Sequence, residues 1–232
     1  MPDAVGGTSL TVTSQLEDAN IYIMHVPKLK DAKSEVLFYD KFNKETDTCA
    51  GESAVESIKG YLGSSLNYAN KGNDIDKIGK AICYVDKMYK GTDAHPYKKE
   101  LCHALYFWIG DILFNNVKDS DSLSLIISMI CEQLHNSYTQ HGCEIICETI
   151  GKDLFLKRKT IFDYYHDYSV IQTAILNHEE APCAQLYSQY LDAIIPIYEG
   201  VRSGCGGVPT SGSYCEQFKK CLMILMIQNS CN

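Results

Sequence analysis

Apolar positions along the chain recur with helical period, and one stretch is apolar on nearly every face. From Pro96 to Phe114 the sequence reads PYKKELCHALYFWIGDILF. Leu101, Leu105, Trp108 and Ile112 fall at i, i+4, i+7 and i+11, one face of a helix. Tyr106, Phe107, Ile109, Leu113 and Phe114 carry apolar surface to the other faces. A helix of that kind is buried on several sides. Lys98, Lys99, Glu100, His103 and Asp111 interrupt it too often for a membrane span. The spacing therefore predicts a central buried helix, with Pro96 in its first turn, where a missing N–H costs nothing.

Other stripes surround it. Val36, Leu37, Phe38, Tyr39 and Phe42 predict a short docking helix in Ser34–Asn43. Val55, Ile58, Leu62, Leu66 and Ala69 form the next stripe, weakened by Gly60 and Gly63. Asn73-Asp74 reads as a cap ahead of Ile75, Ile78, Ile82 and Val85, with Cys83 beside that stripe. Asp119, Ser120 or Asp121 caps a helix with Leu123, Ile126, Ile130 and Leu134 inside. Gln140-His141-Gly142 is a turn, and a short helix is expected over Cys143–Ile150, closed by Gly151. Asp153–Leu176 is a long amphipathic helix with Phe162 and Tyr165 on its apolar side. Ala181-Pro182-Cys183 opens a last strong helix, in which Pro196 should produce a kink. A short strand or helix at Ala19–Val26 is all that the lead-in offers.

No convincing period-2 strand and no fixed repeat occurs. The expected fold is all-α: a single domain of about six to eight helices around the central one. Residues 1–33 form a lead-in, 34–205 the helical core, and 206–232 a Gly-rich linker with a short terminal helix pinned by a disulfide.

Composition adds the environment. The 232 residues are 45% hydrophobic and carry a net charge of −8, spread along the chain. No basic face is available for nucleic acid or anionic membrane. Eleven cysteines are dispersed rather than grouped in CxxC pairs, which favours long-range disulfides in an oxidising compartment over zinc ligation. The half-cystine candidates are Cys49, Cys102, Cys131, Cys143, Cys147, Cys183, Cys205, Cys215, Cys221 and Cys231. The odd count leaves at least one cysteine free or paired outside this chain, and Cys83, close to an apolar stripe, is the candidate free thiol. Connectivity is not legible from spacing. Preferred pairs are Cys49–Cys102, and Cys205 or Cys183 with one of Cys215, Cys221 or Cys231. The N-terminus lacks the basic and apolar regions of a secretory signal, there is no Asn-x-Ser/Thr sequon, and the longest apolar run, Leu222–Ile227, is too short to cross a bilayer.

Candidate chemistry is sparse. Glu132-x-x-His135 and Asp163-x-x-His166 have the helical spacing of di-iron bundle ligands, although the second copy carries Asp and no further buried glutamate pair is evident. A helical-bundle metal protein using Glu132, His135, Asp163 and His166 is the alternative to a purely structural chain. His141, Cys143 and Cys147 lack the second half of a zinc finger. Cys102-His103 point about 100° apart on a helix, a poor catalytic dyad. GCGGVPTSGS lacks the lysine of a phosphate-binding loop. No catalytic residue and no cofactor site is expected.

The segment CHALYFWIGDILF resembles the Cys-x-Leu/Phe-x-x-Tyr-Trp-Leu-x-Asp core of the Plasmodium interspersed-repeat (PIR) variant proteins. FYDKFN, DLFLKRKTIFDYYHDYSVIQ, Cys183-x-x-x-Tyr187-x-x-Tyr190 and EGVRSGC resemble further blocks of that family in the same order. The resemblance covers about Ser34 to Cys205, and the Trp-Ile-Gly-Asp and Phe-Asp-Tyr versions are most similar to the branch from simian malaria parasites. It implies a variant antigen exported to the infected red-cell surface, without a catalytic site, anchored by a transmembrane segment absent from this chain. The implied partners are a host cell-surface receptor or antibodies, met by exposed regions such as Asn67–Asp76 or His178–Ala181. Leu101, Leu105, Trp108, Ile112, Phe162 and Tyr165 would be its structural core.

Overall fold

The computed structural model describes residues 32–46, 49, 53–67, 69–91, 97–117, 120–176, 181–206 and 214–219. These residues are helical or irregular, with no strand among them. A π-helical turn, Glu35–Tyr39, runs into α1 (Asp40–Lys44). Then follow α2 (Ser53–Ser65), α3 (Lys71–Lys90), α4 (Leu101–Asn116), α5 (Ser120–Tyr138), α6 (Lys152–Leu176) and α7 (Ala181–Gly204). A helical stretch over 214–219 makes eight α-helices among the described residues, and the domain is all-α.

The helix α4 is the axis of the fold. It packs against α3, α5, α6 and the N-terminal π turn. Eleven of its residues are buried, among them Leu101, Leu105 and Trp108, which explains an apolar surface all round. Ile112 and Phe162 are half-buried and pack against the same core. Phe38 and Phe42 from the N-terminal segment are fully buried, and Phe42 meets Trp108 edge-on at 5.6 Å. On α6, Phe155 is fully buried and its ring reaches Tyr106, Phe107 and Phe114 at 5.1–5.5 Å.

Several boundaries differ from the sequence pattern. The central helix begins at Leu101, because 97–100 form a turn, and Pro96 lies outside the described residues. The cap before α3 is Asn70, three residues ahead of Asn73. The helix α7 continues through Pro196, where the proline faces solvent and the carbonyl it frees, on exposed Asp192, can be hydrated. The short helix expected over Cys143–Ile150 does not form. That segment is irregular because both of its cysteines are bonded to other elements. Gly142, at φ 86°, turns the chain from the 3-10 turn Thr139–His141 into it. Ala19–Val26 lies outside the described residues.

Among the described residues four disulfides brace the bundle: Cys49–Cys83, Cys102–Cys143, Cys131–Cys147 and Cys205–Cys215. Two expectations are corrected. Cys83 is not free, and Cys49 does not reach Cys102. Because α1 packs on α3, the chain leaving α1 brings Cys49 within 5.6 Å (Cα–Cα) of Cys83. The first turn of α4 instead faces the irregular segment, and Cys102 bonds Cys143 there. Cys205–Cys215 ties the end of α7 to the 214–219 helix. Cys221, Cys231 and the side chain of Cys183 lie outside the described residues.

Candidate functional site

The 143–150 segment, α4, α6 and the 214–219 helix line an open cavity of about 340 Å³. Each wall follows from local sequence. The face of α4 that carries His103 and Phe107 looks into it, as do Arg158, Phe162 and His166 of α6, one turn apart. Phe218 caps it from the 214–219 helix, anchored among Ile161, Ile197 and Val201 in a small second core. The Gln217 amide donates to the Glu144 carbonyl, joining cap to irregular segment.

Its lining carries Lys99, Glu100, His103, Glu144, Arg158, His166 and Gln217, of which Arg158 and His166 are buried and Lys99 and Glu144 exposed. His166 is 8% exposed and sits among the rings of Phe38, Phe162 and Tyr165, at 5.1, 4.5 and 5.1 Å. Its Nε2 is buried with no hydrogen-bond partner. Burial, with lesser contributions from His103 and Lys33, pushes its pKa down to about 4. What surface His103 retains opens on the cavity; burial lowers its pKa to about 4 as well, although a hydrogen bond to the Glu144 backbone opposes that shift. Both imidazoles are therefore neutral at pH 7. Arg158 pairs with Glu148 at 2.6 Å and stacks 3.9 Å over the Tyr214 ring, while its Nε has no acceptor. Tyr165, expected in the core, is half-buried and lines this cavity, because the space opens beside it.

The four residues proposed for a metal do not converge. Glu132 and His135 line a separate groove on the other side of the 144–146 segment. Asp163 turns to the N-terminal element: the Tyr39 hydroxyl donates to its Oδ1, and the Lys159 ammonium to its Oδ2 at 2.6 Å. His166, three residues on, faces the cavity. No group of three or more His, Cys, Asp or Glu able to hold a metal occurs among the described residues. The matched spacing of the two pairs lay within each helix, and the two helices present those faces to different neighbours.

Around Asp163 lies a buried polar cluster that sequence alone did not reveal. Burial opposes the charge of Lys159, but Asp163 and Asp111 outweigh it and raise the pKa. Nearby, Asp167 accepts from the Ser34 N–H at 2.7 Å and from the Ser34 hydroxyl at 2.8 Å, fastening the start of the π turn to α6. Burial raises the pKa of Asp167 to about 6, against the pull of those two donors. The signal available for the cavity residues was polar side chains inside aromatic runs: His103 in CHALYFW and His166 in FDYYHDY.

The helical order, the bonded cysteines and the Trp-Ile-Gly-Asp segment, buried through Gly110, now stand together with a family match. The model of the Plasmodium vivax Vir protein family matches residues 35–229. The chain belongs to the Vir family. That match begins in the π turn and runs past Cys205–Cys215, so it spans every helix described here. Neither a curated protein nor a solved structure matches the chain. Vir is a family of variant antigens rather than enzymes. In this Vir protein no helix among the described residues is long and apolar enough to cross a membrane.

Proposed function

We propose that this Vir domain is the extracellular part of a variant antigen exported to the surface of the infected red cell, where it engages a host receptor or varies under antibody pressure. We assign it to the simian-malaria branch of the interspersed-repeat proteins on Trp108-Ile109-Gly110-Asp111 and Phe162-Asp163-Tyr164. The observation that carries the reading is the family match over a domain held by four disulfides, a bonding pattern suited to an oxidising exterior. With the buried residues fixed by packing, substitution is cheapest on exposed faces. The α2–α3 junction, where Asn67, Asn70, Gly72, Asn73 and Asp76 are exposed, is the proposed contact region. Of His178–Ala181, residues 178–180 and the side chain of Ala181 lie outside the described residues.

Antibodies raised to the disulfide-intact domain should stain infected red cells without permeabilisation, and the domain should capture a receptor from an array of host surface proteins. Staining seen only after permeabilisation would overturn the surface assignment. An array with no hit, beside positive surface staining, would leave display to antibodies as the function.

A further inference from the structure

We propose that the outer face of α5, continued by the groove beside residues 143–147, docks an amphipathic helix carrying Lys or Arg from another protein. The exposed residues of α5 form one seam. Those with described side chains are Ser122, Leu125, Met129, Glu132 and Asn136, in steps of three, four, three and four. That spacing is the one along which one helix packs against another. At 1.5 Å per residue the seam runs for about 21 Å. Leu125 is 57% exposed and Met129 37%. Among the described residues the other exposed large apolar side chains, Val36, Leu154 and Ile195, each stand alone on their element. Single exposed apolar residues are ordinary. A pair at i and i+4, centred in a seam, is the anchor pattern of helix recognition.

Charge selects the partner. Glu132 and Asn136 belong both to the seam and to the groove of about 660 Å³ that α5 forms with 143–147. Glu144, on the 143–147 side of that groove, is exposed like Glu132. Among the described residues neither carboxylate is ion-paired, and neither Lys nor Arg lines the groove. The helix α5 itself has no Lys or Arg along its length. A partner helix with apolar residues over Leu125 and Met129, and Lys or Arg beside Glu132 and Glu144, completes both contacts. Opposite charges placed in this way add specificity and association rate to the apolar contact. A second copy of this chain lacks that chemistry, since its net charge is −8 and it brings the same acidic groove. A lipid surface is disfavoured as well, because helices that lie on membranes carry Lys and Arg on their polar face.

The test uses the full chain with its disulfides intact and fluorescent peptides of about three heptads each. The first is helical, with Leu along one face and Lys along the other. The second has the same composition in scrambled order, and the third has Glu in place of Lys. The expected result is saturable binding of the first, one peptide per chain, with the others weaker by about tenfold or more. The double change Leu125→Ser with Met129→Ser should weaken the first peptide by about tenfold or more, as should Glu132→Lys alone. All three positions are exposed, so the variants should melt with the parent. Glu199→Lys, the same change of charge at an exposed position of α7, should leave binding nearly unchanged. Equal weakening by Glu132→Lys and Glu199→Lys would overturn the proposal, because net charge alone would then explain the binding. Absence of binding, or a scrambled peptide that binds as well as the first, would overturn it too. So would a dimer in sedimentation that the double change dissolves, or binding to phosphatidylcholine vesicles that it abolishes, since a second copy or a lipid surface is then the occupant.

Discussion

The tip of the Phe155 ring on α6 abuts Gly110 on α4, so that a Cβ at residue 110 would stand 2.0 Å from Phe155 Cζ. Phe155 is fully buried and touches three further aromatic rings. The glycine of the Trp-Ile-Gly-Asp segment is therefore a steric requirement of the α4–α6 crossing. In an isolated helix Gly→Ala stabilises by ~1 kcal/mol. Here Gly110→Ala should destabilise by about 1–3 kcal/mol, because the ring cannot move without opening the core. Phe155→Leu should cost stability alone but recover part of the loss in the Gly110→Ala background. Denaturant melts of the two single variants and the double variant measure that coupling, and additive losses would contradict the contact.

The disulfides make a prediction about thiol counts. Of eleven cysteines, eight are in bridges among the described residues. Denatured without reductant, the chain should expose at most three reactive thiols, Cys183, Cys221 and Cys231. Non-reducing peptide maps should recover Cys49 joined to Cys83 and Cys102 joined to Cys143. Loop entropy ranks the bonds: Cys102–Cys143 spans 41 residues and Cys205–Cys215 spans 10. Their removal should cost about 4 and about 3 kcal/mol respectively. A map that joins Cys49 to Cys102 would contradict the α1–α3 packing described here.

Sequence periodicity reached the helices because each buried stripe repeats within one element. Leu101, Leu105 and Trp108 could be assigned to the interior for that reason. Pairing between elements was not legible. The partner of Cys49 depends on how α1 lies across α3, a relationship without a local signature. The same limit explains His166. Its spacing from Asp163 is correct for two ligands on one helix, but one side chain faces Tyr39 and Lys159 while the other faces the cavity. The cavity itself is made by a segment that does not become a helix, and disulfides at Cys143 and Cys147 are what hold it there.

The cluster at Asp163 gives a third prediction. Asp163 and Lys159 are only 18% and 17% exposed at their side chains, and the carboxylate has two donors, Lys159 and the Tyr39 hydroxyl. Tyr39→Phe removes one donor and should cost about 1–3 kcal/mol. Lys159→Met leaves a buried carboxylate without its counter-charge and should cost more, about 3–5 kcal/mol. The double change Lys159→Met with Asp163→Leu should recover much of that loss, since the uncompensated charge is gone. Thermal melts of the three variants test the order, and a double variant less stable than Lys159→Met would refute it.

The two buried groups of opposite chemistry on α6 predict a compensated acid response. His166 takes up a proton near pH 6.5 when unfolded and near pH 4 when folded, so its contribution to stability is present above 6.5 and lost as pH falls towards 4. Asp167 has the reverse sign. Its folded pKa of about 6 lies above the unfolded value near 3.8, so the penalty for its charge is full at pH 7 and relieved as pH falls through 6. Between pH 7 and pH 5 the first loss is about 2 kcal/mol and the second gain about 1 kcal/mol. Relative to the parent, His166→Phe should therefore gain about 2 kcal/mol over that interval, and Asp167→Asn should lose about 1 kcal/mol. For a chain of this size the difference between the two variants is roughly 6–12 °C in melting temperature. Melts at pH 7 and pH 5 separate the signs. Parallel shifts of all three proteins would show that the acid response arises elsewhere in the bundle.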